Sequence, residues 1–260
     1  MRKYAGTLDR KELKRLAQQV RPGDLVNYEV HLPDRFKESI SGGIRSTIMS
    51  GVIGQVTGPE YHSAIVADVD KKTGDMTLVE SFIGQGAVIT TPKDFARYAK
   101  SHSFHFYRPN KASAKAGRIA AEQALAIGAK NVDYPISDLI PLGLREIAAK
   151  RKGKVWRKIV ERLDKGSAED RRVDDKAMGV CSHLPTYAWG KALGSENKFL
   201  KGLGVKARKG TRLAVSPRTI AKAARQGKLK RIGTLVPKNR EASVSSVLGR
   251  RMKEALLAKL

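Results

Sequence analysis

The chain has 260 residues, 41% of them hydrophobic, enough to bury one substantial core with appendages, and its 51 lysines and arginines against 25 aspartates and glutamates give a formal charge of +26. So large an excess lies outside the range of an ordinary small enzyme and implies an anionic partner: nucleic acid, anionic wall polymers or lipid head groups, or an acidic protein. The single cysteine rules out an intramolecular disulfide and a metal site built on several thiolates, and no stretch approaches a membrane span.

Residues 7–20 place Leu13, Leu16, Ala17 and Val20 at helical spacing behind a candidate cap at Thr7, which predicts a short amphipathic helix stopped by Arg21-Pro22-Gly23-Asp24. The first 20 residues are charged and lack the apolar core of a secretory signal, so the expectation is a soluble protein, cytoplasmic at synthesis. Residues 24–30 read as a first strand, and the Gly-rich stretch 34–60 as a long loop holding a short helix. Two strand-like runs, 62–69 and 76–82, flank the charged turn 70–75 and predict a hairpin. Residues 86–90 continue the sheet, 92–100 form a short helix, and 103–108 return as a strand ended by Pro109.

The second half is different in kind. Residues 111–128 are alanine-rich and predict a helix with Gly128 as its stop. Helical patterns around 142–150 and 155–163 are followed by a charged connection at 164–175 and then by Met178-Gly179-Val180-Cys181 ahead of an apolar helix through Leu184, Tyr187, Ala188 and Leu193. From 198 onward glycine alternates with lysine and arginine, with one more short helix at 217–225 and a helix-prone basic end. The first 110 residues hold 16 basic and 12 acidic side chains, a net of +4, which leaves +22 on residues 111–260. The basic clusters at 150–152, 171–172, 206–212 and 250–251 could neutralise phosphates, while 6% aromatic content argues against base-stacking recognition.

Three residues stand out chemically. A thiol becomes a useful nucleophile when a helix N-terminus or an imidazolium favours its thiolate, and Cys181 lies where a helix is expected to begin, with its own backbone N–H available to a developing oxyanion. A lone cysteine is otherwise a small buried hydrophobe, and on this segment alone both readings stand. If the hairpin pairs Ala64 with Glu80, then His62 and Glu80 become diagonal neighbours on one face, within reach of a carboxylate–imidazole hydrogen bond. Such a carboxylate would fix the tautomer and leave the other ring nitrogen for the thiol. The bland alternative is a polar strand end and a solvated glutamate.

His102 and His105, three apart on a strand, should point to opposite faces, which argues against a metal pair. His183 should face away from Cys181 as a rim or packing residue. The glycines at 42–43 and 51–58 lack the spacing of a phosphate-binding loop, so no nucleotide, cofactor or metal site is assigned.

Arg21-Pro22-Gly23-Asp24-Leu25-Val26, Gly58-Pro59-Glu60-Tyr61-His62-Ser63-Ala64-Ile65-Val66, Leu78-Val79-Glu80-Ser81 and Gly179-Val180-Cys181-Ser182 together resemble the permuted, YiiX-like branch of the NlpC-type papain-fold hydrolases, in which the histidine strand precedes the cysteine helix. Pro92-Lys93-Asp94-Phe95, Phe106-Tyr107-Arg108-Pro109, the turn at 128–134 and Val215-Ser216-Pro217-Arg218 are similar to further segments of that family, so the resemblance covers about 21–235. It implies an α+β, circularly permuted papain-like fold, an antiparallel sheet packed on the cysteine-bearing helix, and the chain adds to that pattern a helical extension at 1–20, a long insertion at 34–58, a charged insert near 150–175 and a basic extension at 236–260. By matching position it implies Cys181 as nucleophile, His62 as base and then acid, and Glu80 as the orienting group, acting on a peptide or other acyl substrate. The expected function is a cysteine peptidase or amidase cleaving cell-wall peptides, carried to the wall in a phage particle. The competing expectation is a non-catalytic virion or nucleic-acid-associated protein that keeps the fold.

Overall fold

The computed structural model describes residues 8–30, 60–82, 85–100, 102–110, 112–130, 181–205 and 215–237, together with Val155 and Lys158. Nearly all of the expected loop at 34–60, the helical patterns and charged connection between 142 and 175, the four basic clusters and the basic end of the chain lie outside the described residues. Among the described residues the fold is α+β, with one six-stranded antiparallel sheet and six helices. No helix among them is long and apolar enough to cross a membrane.

In chain order the elements are α1 (Arg10–Gln19), β1 (Leu25–Val30), β2 (Glu60–Val69), β3 (Met76–Phe82), β4 (Gly86–Thr90), α2 (Pro92–Tyr98), β5 (His102–Pro109), α3 (Ala114–Ala129), α4 (His183–Ala192), α5 (Glu196–Gly202), α6 (Pro217–Arg225) and β6 (Leu229–Leu235). The strands lie in the order β4-β3-β2-β1-β5-β6. Alternation along each strand divides the sheet into two faces. Leu25, Ile65, Val79 and Tyr107 join Ala120 and Ala124 of α3, Leu184 and Trp189 of α4, Phe199 of α5 and Ile220 of α6 in one core. On the other face Val26, Tyr28, Ala64, Leu78, Phe104 and Phe106 pack with Leu13, Leu16 and Ala17 of α1 and Phe95 ahead of the end of α2. The sheet is therefore the middle of three layers.

Several details differ from the sequence expectation. The cap of α1 is Asp9, whose carboxylate accepts from the backbone N–H of Lys11 and Glu12, and not Thr7, which lies outside the described residues. β5 ends at Pro109, which is itself paired as the last residue of the strand, opposite Leu229. Gly128 is not the stop of α3, since the helix runs on to Ala129. A Cβ at Gly128 would stand 2.9 Å from Ile89 Cγ1 and 3.0 Å from Val79 Cγ1, so its role is to let α3 lie down on β3 and β4. Two elements went unpredicted, α5 and the sixth strand β6, which pairs antiparallel with β5.

The turn before β1 is fixed from several sides. Arg108 grips Asp24 through two hydrogen bonds of 2.7 Å, from Nε to Oδ1 and from Nη2 to Oδ2, and its Nη2 also donates to the carbonyl of Gln19. Burial pushes the Asp24 carboxyl up, outweighing the pull in the other direction from Arg108 and Arg21. Trp189 Nε1 donates to the carbonyl of Gly23, and Gly23 itself has φ of 90°. A Cβ on Gly117 would sit 2.7 Å from the carbonyl oxygen of Pro22, a backbone atom with nowhere to go. Gly117→Ala is therefore expected to lower stability by about 1–3 kcal/mol through overpacking, read as a lower midpoint in urea with unchanged slope.

Candidate active site

The hairpin forms in the register that the site requires. Ala64 stands opposite Glu80, and Ile65 opposite Val79. His62 and Glu80 consequently share the face that carries Ala64 and Leu78, and His62 Nε2 lies 2.8 Å from Glu80 Oε2. Both side chains are buried, Glu80 completely. The second oxygen of Glu80 accepts a short hydrogen bond from Thr90 Oγ1 of β4, so both of its oxygens are engaged.

Cys181 is half of a two-residue turn, followed by Ser182 as the cap of α4. It thus precedes the helix rather than opening it. The body of α4 packs on the Ile65 and Val79 face, opposite His62, and it is the turn ahead of the helix that reaches the imidazole. That turn is tethered by Ser182 Oγ donating to the carbonyl of Val215 at 2.6 Å and by Thr186 Oγ1 donating to the carbonyl of Ser182 at 2.8 Å. Val215 leads into α6, whose Pro217 carbonyl accepts from Asn27 Nδ2 of β1 at 2.8 Å. The cysteine turn and β1, the neighbour of the histidine strand, are in this way both tied to the segment from Val215 to Pro217.

The electrostatics of His62 show that sulfur and ring interact. Burial is the largest single influence and disfavours the imidazolium; charge interaction and a hydrogen bond with Cys181, followed by the hydrogen bond and charge of Glu80, outweigh it and push His62 up to about 9. With Nε2 committed to Glu80, Nδ1 is the nitrogen left for the sulfur. Cys181, His62 and Glu80, separated in the chain, are therefore brought together in the order carboxylate, imidazole, thiol.

The imidazole also has two aromatic neighbours. Its ring stacks on Tyr28 of β1 with centroids 4.9 Å apart and planes 6° from parallel, and on Phe82 of β3 at 4.8 Å and 3°. His102, at the start of β5, approaches Tyr28 at 6.3 Å and Tyr98 at 6.2 Å, and its Nδ1 lies 3.2 Å from the Tyr98 carbonyl. Burial lowers its pKa, and the nearby positive charge of His62 adds to that. Nothing local in the sequence marks Tyr28 or His102, because β1 sits between β2 and β5 only once the chain has crossed over.

His105 takes the opposite face from His102, as the strand spacing predicts, with Nε2 2.7 Å from Glu29 Oε2 and Nδ1 3.2 Å from Thr234 Oγ1. His183 is a buried packing residue rather than part of a rim. A separate polar cluster joins Asn27, Glu60, Ser63 and Tyr107: Asn27 Nδ2 donates to Glu60 Oε2 at 2.6 Å, Ser63 Oγ donates to Asn27 Oδ1, and the Tyr107 hydroxyl donates to Glu60. Burial, reinforced by the Glu60 charge, raises the Tyr107 phenol, which stays a hydrogen-bond donor. No group of three or more histidine, cysteine or carboxylate side chains among the described residues could hold a metal ion.

No protein-family model, curated protein or solved structure matches the chain. Its chemistry rests on its own geometry. A carboxylate that fixes an imidazole, and an imidazole that faces a thiol, can move one proton between sulfur and a leaving group without any other partner.

Proposed function

We propose that the chain is a cysteine hydrolase of the circularly permuted, NlpC-type papain-like fold. The observation that carries this reading is the contact series Glu80, His62, Cys181, assembled by one hairpin and the turn ahead of α4. The histidine strand preceding the cysteine turn, as in the permuted branch, supports it further.

In the reaction, the sulfur of Cys181 attacks the carbonyl carbon of an amide or ester, and the thiol proton is held on His62. Collapse of the tetrahedral species breaks the bond to the leaving group, which takes that proton from His62, and an acyl thioester remains. Water then gives a proton to His62 and attacks the thioester, releasing the acid and restoring the thiol. Glu80 keeps the imidazole in one tautomer throughout. Peptide bonds of the bacterial cell wall are the substrate class to which the resemblance points, and carriage in a phage particle would deliver the enzyme there. The +26 charge favours a second reading in which the protein is a non-catalytic virion or nucleic-acid-associated component.

Alkylation of Cys181 by iodoacetamide separates the two. The hydrolase reading expects rapid modification well below the pH of about 8.5 at which a free cysteine ionises, and loss of that advantage in His62→Ala. Equal rates in both proteins, with nucleic-acid binding retained, would leave only the scaffold. For the hydrolase the alkaline limit also has a sign. The imidazolium that protonates the leaving group is present below about 9, so hydrolysis of a peptide substrate should decline as pH rises through that value.

A further inference from the structure

The hydrogen bond to Glu80 fixes Nε2 of the imidazole but does not by itself stop the ring from tilting about that point. Tilting would carry Nδ1 away from Cys181. What prevents it is visible in the strand register: Tyr28 lies directly opposite His62 in β1, and Phe82 follows two residues beyond Glu80 in β3, so three rings form a row across three adjacent strands. The imidazole occupies the middle of that row, with planes 6° and 3° from its neighbours.

We propose that Tyr28 and Phe82 are positioning residues that clamp His62 between two parallel aromatic faces, so that the ring can slide only within its own plane, where Glu80 at Nε2 and Cys181 at Nδ1 stop it. This inference rests on the hydrolase reading and adds two residues to its machinery. The arrangement differs from the ring contacts that surround it. Tyr28 meets Phe104 edge-on, at 4.6 Å and 88°, and Phe104 meets Phe95 at 65°, the tilted geometry that neutral rings commonly adopt. Within this cluster of rings the two contacts on the imidazole are the near-parallel ones, and they are closer than the parallel pair Trp189 and Phe199 of the other core, whose centroids are 6.0 Å apart.

The clamp has two chemical effects. It opposes the half-turn about the Cβ–Cγ bond that would exchange Nδ1 for a carbon, because the ring would have to stand upright between its neighbours to turn. It also presents a π-face to each side of the imidazolium, an attraction the neutral ring lacks. Phe104 meets Tyr28 edge-on and is itself packed on Phe95, so Tyr28 is backed by a buried ring. Among the described residues the titratable groups around the ring are Tyr28 itself on β1, Glu80 on β3, Cys181 ahead of α4 and, beyond Tyr28, His102 on β5.

The test compares Tyr28→Leu and Phe82→Leu with the ring-preserving Tyr28→Phe and Phe82→Tyr. The His62 side-chain nitrogens are followed by NMR across pH, and Cys181 alkylation by iodoacetamide is followed on the same samples. The leucine variants should lower the His62 midpoint by about a unit, broaden its signals, and slow alkylation below neutral pH by about tenfold to a hundredfold, whereas the aromatic exchanges should keep the wild-type profile. Folded leucine variants with an unchanged His62 midpoint and linewidth overturn the clamp. Alkylation that proves independent of His62 in the wild type, with the imidazole still responding to the leucine exchanges, defeats the hydrolase reading and leaves the clamp standing. Should Tyr28→Leu fail to fold, Phe82→Leu, whose ring is only partly buried, carries the comparison alone.

Discussion

Cys181→Ala is expected to abolish hydrolysis of an acyl substrate, a loss of at least about a thousandfold, and at the same time to change the state of a residue it does not replace. The two largest influences that raise His62 are its charge interaction and its hydrogen bond with the sulfur; burial, the largest influence of all, acts the other way. Removing the sulfur leaves burial opposed only by Glu80, so the imidazole midpoint should fall from about 9 toward the ordinary value near 6.5. Side-chain nitrogen NMR of the folded variant reads this directly. A midpoint that stays near 9 in Cys181→Ala would mean that sulfur and ring are not partners. In Glu80→Gln the hydrogen-bond geometry survives in part while the charge is lost, so a smaller fall in the same direction is expected.

Arg108→Ala should produce the largest loss of stability, about 3–5 kcal/mol, because it leaves a fully buried carboxylate without its bidentate partner. The loss should depend on pH in a definite direction. Asp24 already has a pKa raised above 3.8 by burial, and without Arg108 the remaining influences move it further up. A carboxyl whose folded value exceeds its unfolded one binds the proton more tightly when folded, so its contribution is fully present below 3.8 and is lost as pH rises through the folded value. Urea titrations should therefore show a smaller deficit for Arg108→Ala near pH 4 than near pH 7. Adding Asp24→Asn should restore part of the deficit at neutral pH.

The candidate site was legible where it depended on local pattern. The alternation in 62–69 and 76–82 around a charged turn marks both strands, while the register was open in the sequence; the one that forms sets Ala64 opposite Glu80 and brings His62 to Glu80. Position along the chain could not reveal what crossover brings together. Tyr28 reaches His62 because β1 inserts between β2 and β5, and neither strand's sequence announces that neighbour. β6 escaped notice because it is an edge strand with Lys230 and Arg231 exposed, so its buried ends, Leu229 and Leu235, are separated by residues that read as a basic tail. Gly128 was misread for a related reason. Its meaning lies in a contact with Val79 and Ile89, not in the helix that contains it.

The hydrogen bond between His105 and Thr234 bridges 129 residues, and that from Asn27 to the Pro217 carbonyl bridges 190, whereas His62 and Glu80 are only 18 apart. Carboxylate and imidazole can thus meet early, on a hairpin that closes a short loop. The turn bearing Cys181 gains its Val215 anchor, and the sheet its last strand, only when far later segments return. During ribosomal synthesis the thiol would remain without its complete setting until most of the chain has emerged, so a polypeptide stalled before Val215 is expected to hold the His62–Glu80 pair with the Cys181 turn unanchored.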